Sequence, residues 1–108
     1  MTETTFYLSE GMICSFEIKG HSGYAASGED IVCAAISSTV WMTVNTLENI
    51  LHLDVEYKTS DADVFLEVSD RDIGSAQVLL EGFRQFLCNL SAEYEKYLTV
   101  KEVQKCLN

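Results

Sequence analysis

Hydrophobic and polar positions divide the chain into alternating and helical stretches. Phe6 and Leu8 fall on one parity of a first apolar segment, and Glu10-Gly11 follows as a turn. Met12, Cys14, Phe16 and Ile18 then alternate with Ile13, Ser15, Glu17 and Lys19, the pattern of a half-buried strand, so the two segments predict a hairpin. From Gly20 to Glu29 all periodicity stops, and the glycines, serines and alanines of GHSGYAASGE predict an irregular loop. Asp30 reads as the N-cap of a helix from Ile31 to about Leu51, with Val32, Ile36, Val40, Val44, Leu47 and Leu51 as its apolar stripe. Leu53, Val55 and Tyr57, a turn at Thr59–Asp63, and Val64, Leu66 and Val68 predict a second hairpin. A second helix starts near Asp72 or Ser75. Its stripe of Ala76, Leu79, Leu80, Phe83, Phe86, Leu87, Leu90, Tyr94 and Tyr97 is the cleanest periodic signal in the chain. A short strand from Leu98 to Val103 closes the order ββαββα(β). The expected fold is one α+β domain over 1–108, a two-layer sandwich of a mostly antiparallel sheet with two helices on one face.

Composition narrows the partners. With 7 Lys and Arg against 17 Asp and Glu, the net charge is −10. Such a chain is not a phosphate-backbone or anionic-membrane binder, and it suits a basic partner. The charge-free run from Ile31 to Leu47 is too short and too rich in Ser and Thr to span a bilayer comfortably. It leaves the first helix with little polar surface, so that helix is expected to pack against a second subunit as well as the sheet. The opening Met1-Thr-Glu-Thr-Thr lacks the features of a signal peptide, and Cys14, Cys33, Cys88 and Cys106 have neither disulfide-framework nor zinc spacing. A cytoplasmic protein with reduced thiols, no metal and no cofactor is expected.

One constellation carries chemistry. His21 stands where a strand gives way to the loop, and Cys33 is the third residue of a helix capped by Asp30. The positive helix end favours ionisation of a thiol there while the Asp30 charge opposes it, and the Cys33 N–H is either an oxyanion donor or the partner of the Asp30 carboxylate. Paired with an imidazole, the thiol is the activated nucleophile of cysteine hydrolases. Ser37, one turn beyond, can hydrogen-bond either group. Asp30 has two readings, orienting His21 or capping the helix. Cys33 has two as well, since a cysteine in an apolar helix also packs as a small hydrophobe. Cys14 reads as core, Cys88 as an incidental thiol on the polar face of the second helix, and His52 as a solvated residue on a strand. No arginine follows a cysteine at phosphatase spacing, and no Lys-Ser or Lys-Thr follows the glycines as in a nucleotide loop.

The segment Gly20-His21-Ser22-Gly23-Tyr24-Ala25 … Gly28-Glu29-Asp30-Ile31-Val32-Cys33-Ala34-Ala35-Ile36-Ser37 closely resembles the signature of the ribosomal-processing cysteine protease (Prp) family. Length and element order resemble that family too. The resemblance implies a cytosolic, dimeric endopeptidase that trims the N-terminal extension of a basic large-subunit ribosomal protein, number twenty-seven, after an aromatic pair. It implies Cys33 as nucleophile, His21 as general base and acid, and Asp30 and Ser37 as supporting residues. Gly20, Ser22, Gly23, Tyr24 and Gly28 then belong to a loop that orders around substrate. Two other readings stand beside it. One is a non-enzymatic acidic dimer that binds a ribosomal or other basic protein. The other is a cysteine hydrolase or transferase acting on a different acyl substrate.

Overall fold

A computed structural model describes residues 1–20, 27–60 and 63–105, with the backbone alone for 27–30. Strands β1 (Thr2–Ser9) and β2 (Met12–Lys19) form the first hairpin. Ser9 pairs with Met12, so the loop is the two residues Glu10 (φ 53°) and Gly11 (φ 80°). Two successive positive φ angles match the twist of the flanking strands. The register slips between Tyr7 and Leu8, which pair with Ser15 and Ile13, leaving Cys14 as the extra residue of a bulge. This corrects the simple alternation. Ile13 and Cys14 are both buried, whereas Met12 is exposed. The Cys14 thiol donates to the Tyr7 carbonyl at 3.3 Å. The bulge is held from a distance by Gln77, whose carboxamide accepts from Ile13 N–H at 2.8 Å and donates to Ile13 C=O at 2.7 Å.

Helix α1 (Ser27–Asn45) begins earlier than the sequence pattern suggests and ends in a π-helical turn, Thr46–Ile50. Its polar positions do not disturb an apolar environment, because Thr39, Thr43 and Thr46 each donate to the carbonyl four residues back. The π turn is closed by Leu51 N–H on Thr46 C=O, and Leu53 N–H then reaches Leu47 C=O. His52, at φ 54° and exposed, lies in this connection and not on a strand as expected. Strands β3 (Val55–Ser60) and β4 (Asp63–Val68) pair from Val55↔Val68 to Ser60↔Asp63, so Thr59, Ser60 and Asp63 belong to the ladder. A short 3-10 turn, Asp70–Asp72, precedes helix α2 (Ile73–Glu93), and β5 (Leu98–Gln104) follows.

The sheet order is β3-β4-β2-β1-β5. Only β1–β5 among its neighbours is parallel, so the sheet is mixed and mostly antiparallel. By those pairings β2 runs parallel to β3 and β4 parallel to β5. Each helix is therefore a crossover between parallel strands, and right-handed crossovers put both on one face. The order places α1 toward the β3 edge and α2 over β2, β1 and β5. The two-layer expectation holds. Between the layers, Phe6, Phe16 and Phe83 meet with ring centroids 4.8–6.0 Å apart. Val32, Ile36 and Val40 of α1, Leu47 of the π-helical turn, and Ala76, Leu80 and Leu87 of α2 complete the core. The stretch Ile31–Ile50 is long and apolar enough to qualify as a membrane span by composition, but this inward stripe is already used. Phe86, placed in the core stripe by spacing, is instead exposed.

Candidate active site

The end of the sheet where β2 exits gathers several chain segments. Thr2 N–H donates to Tyr97 C=O at 2.8 Å, pinning the N-terminus beside the start of β5. Gly20 ends β2 at φ 81°, and a Cβ built on it would lie 2.6 Å from the Met1 carbonyl oxygen. Its N–H faces Asp63 Oδ1 at 3.4 Å. A side chain is excluded here twice, by backbone angle and by the Met1 backbone. His21, Ser22, Gly23 and Tyr24 follow immediately and lie outside the described residues.

Helix α1 returns from this end, and its start changes two expectations. Gly28 is the second residue of the helix and not part of the loop, and Asp30 is the fourth, so Asp30 is no N-cap. Cys33 is the seventh. An N–H that far inside belongs to the helical ladder, so it is no oxyanion donor, and the helix-end field has faded beyond the first turn. The cap reading came from treating Ser27-Gly28-Glu29 as loop.

What the helix does supply is alignment. Asp30, Cys33 and Ser37 stand at i, i+3 and i+7, along one flank of α1. Val32 and Ile36 point into the core, while Thr39 and Met42 turn toward α2 and line a groove of about 700 Å³ with Val78, Leu79 and Phe86. Cys33 and Ser37 are therefore on the flank turned from α2, over the β3 side of the sheet. Cys33 is half-buried and Ser37 exposed. Farther along the helix Glu48 comes near Tyr57 of β3. Burial first, and then the Glu48 charge, raise the Tyr57 pKa above its ordinary value.

Two site-end groups had no functional signal in the sequence. The hydroxyls of Thr2 and Thr4 are fully buried with no hydrogen-bond partner among the described residues. They share the parity of Phe6, so they continue the helix-facing side of β1. Unsatisfied hydroxyls of this kind cost on the order of 1–3 kcal/mol each. The remaining described thiols are different in character. Cys14 is buried in the bulge, and Cys88 is half-buried near Arg84, whose pKa is raised by its hydrogen bond to Glu81. Cys106 lies outside the described residues. Among the described residues no group of three or more His, Cys, Asp or Glu is arranged to hold a metal ion.

Comparison with known proteins identifies the family. The family model described as cysteine protease Prp matches residues 1–99. The ribosomal processing cysteine protease Prp of Bacillus subtilis (strain 168) is 31% identical over 96 residues, covering 82% of this chain and 84% of that protein. A crystal structure from Streptococcus mutans superimposes with a TM-score of 0.89 at 26% identity, over 97% of this chain and 99% of that one. A Prp structure from S. aureus, in complex with a substrate peptide, gives a TM-score of 0.87 at 19% identity, covering 95% and 100% of the two chains, and shares the fold. With the family profile spanning nearly the whole chain and the cysteine-bearing helix set against the five-stranded sheet, this protein belongs to the cysteine protease Prp family of ribosomal-processing proteases.

Proposed function

We propose that this chain is a cytoplasmic endopeptidase that removes the N-terminal extension of a large-subunit ribosomal protein, number twenty-seven, cutting after a pair of aromatic residues. Cys33 is the nucleophile and His21 the general base and acid. The observation that supports the reading is the alignment of half-buried Cys33 with Ser37 on one flank of α1, the helix that follows β2 and His21 along the chain. His21 takes the thiol proton, Sγ attacks the scissile carbonyl carbon, and the same proton passes to the departing amine as the peptide C–N bond breaks. Water, deprotonated by His21, then releases the acyl group from the thioester. Asp30, relieved of a capping role, orients His21. Ser37 hydrogen-bonds the thiolate or the imidazole. Gly20, Ser22, Gly23 and Tyr24 hold the substrate, and Gly28 belongs to the start of α1. A net charge of −10 draws in a basic protein.

The test is incubation with the ribosomal protein carrying its extension, under reducing conditions, with product masses read out. One cut after the aromatic pair is expected. Intact substrate overturns the reading, and intact substrate held in a stable complex supports the non-enzymatic module instead.

We also place a homodimer interface on the outer face of α1. Trp41 there is 77% exposed, and Val78, across the apolar groove on α2, is 89% exposed. Apolar surface of this extent on a small chain marks an association site. Sedimentation at micromolar concentration should show a dimer for the parent chain and a shift to monomer for Trp41→Glu. A monomeric parent chain sinks the interface.

A further inference from the structure

We infer that the substrate segment docks as an added strand on β3, which is an edge of the sheet among the described residues. The inference rests on the endopeptidase reading and gives the peptide its track. The pairing of β3 with β4 runs from Val55 to Ser60 without a bulge. Ser69 N–H donates to Asp54 C=O at 2.9 Å, which sets the phase of the ladder. Glu56, Lys58 and Ser60 are then the residues bonded to β4, and the N–H and C=O groups of Val55, Tyr57 and Thr59 turn outward. The usual protections of an edge are thin here. The chain contains no proline, the register has no bulge, and Lys58 is drawn to Glu56 at 3.1 Å.

Position and charge name the occupant. The flank of α1 that carries Cys33 and Ser37 lies toward β3, so a strand about 4.8 Å beyond β3 would continue the sheet along the side of the nucleophile. Glu56 is paired with Lys58 and Asp54 with Arg71 at 3.6 Å, but Asp63 and Glu48, the latter near enough to act on Tyr57, leave the border with an excess of negative charge. This border suits an extended basic segment, and strand addition is a general way for a sheet edge to hold a peptide. The geometry also gives a reason for recognising two adjacent aromatic residues. Consecutive side chains of a strand point to opposite faces. One ring turns toward the α1 flank. The next turns toward the open face, where a hollow of about 590 Å³ is lined by Lys58, Ser60, Asp63 and Phe65.

The test uses Cys33→Ala protein and a synthetic peptide spanning the aromatic pair and the extension, with backbone amide exchange followed residue by residue. The amides of Tyr57 and Thr59 should slow by about ten-fold or more at saturating peptide, while those of Glu56 and Lys58, already in the ladder, change little. A bound peptide that leaves Tyr57 and Thr59 unprotected overturns the inference, as does a peptide that does not bind. A parallel digestion with the parent chain separates the two proposals. Cleavage without protection defeats edge docking alone. Protection without cleavage leaves edge docking standing and defeats the endopeptidase reading.

Discussion

Cys33→Ala is expected to abolish cleavage, lowering kcat by about 10⁴-fold or more, because removal of the nucleophile from a concerted nucleophile–base pair forfeits nearly the whole covalent pathway. The structure makes this substitution clean. Cys33 is half-buried on a helix flank, next to residues that carry the core and not among them. Trimming one sulfur there leaves Val32 and Ile36 in place, and alanine favours the helix. Thermal stability should therefore stay close to that of the parent chain. Cys14→Ala and Cys88→Ala serve as contrasts. The first removes a buried thiol that donates to the Tyr7 carbonyl, so it should lower stability while activity survives at temperatures where the protein is folded. The second, on α2 beside Arg84, should change little. A Cys33→Ala protein that still cuts in the presence of reductant would place the nucleophile elsewhere and dissolve the mechanism.

Much of the architecture was legible because burial follows parity and period. The stripe Ala76–Leu80–Phe83–Leu87 reads directly as the buried face of α2, and Leu66 and Val68 read as the buried side of β4. The failures share a cause, which is dependence on partners distant in sequence. Nothing local in Ile13-Cys14-Ser15 announces a bulge, since the group that stabilises it is Gln77, 64 residues away. Phe86 fits the period of α2, yet it faces the outer groove because no third layer covers it. Ser27-Gly28-Glu29 looks like loop by composition, and Asp30 after it looks like a cap. Once the helix starts at Ser27, the same aspartate becomes an interior residue aligned with Cys33 and Ser37. The candidate residues come from type and spacing, while the activation attributed to a helix end does not apply to a cysteine seven residues into α1. Thr2 and Thr4 could have been assigned inward by parity with Phe6. Their lack of hydrogen-bond partners among the described residues is a tertiary fact.

Gly20→Ala is the second substitution with a large expected effect, and its comparison with Gly11→Ala isolates the reason. Both glycines have the same left-handed backbone, φ 81° and φ 80°. At Gly11 an added Cβ meets nothing within 4 Å, so the cost is that of the backbone angle alone, about 1–2 kcal/mol. At Gly20 the Cβ falls 2.6 Å from the Met1 carbonyl oxygen, which is backbone and cannot rotate away. Relief requires β1 and the exit of β2 to separate, at a site also tied by Thr2 N–H to Tyr97 C=O and by Gly20 N–H toward Asp63. The combined cost should reach about 3 kcal/mol or more. The next residue is His21, so the same displacement moves the proposed general base. A shift of about 1 Å in a reacting group is worth about 10²-fold in rate. Gly20→Ala should therefore lose activity by that order even at temperatures where circular dichroism shows it folded, whereas Gly11→Ala should lose stability and keep its turnover. Equal kcat/KM for the two variants, measured on folded protein, would show that the exit of β2 does not set the position of His21.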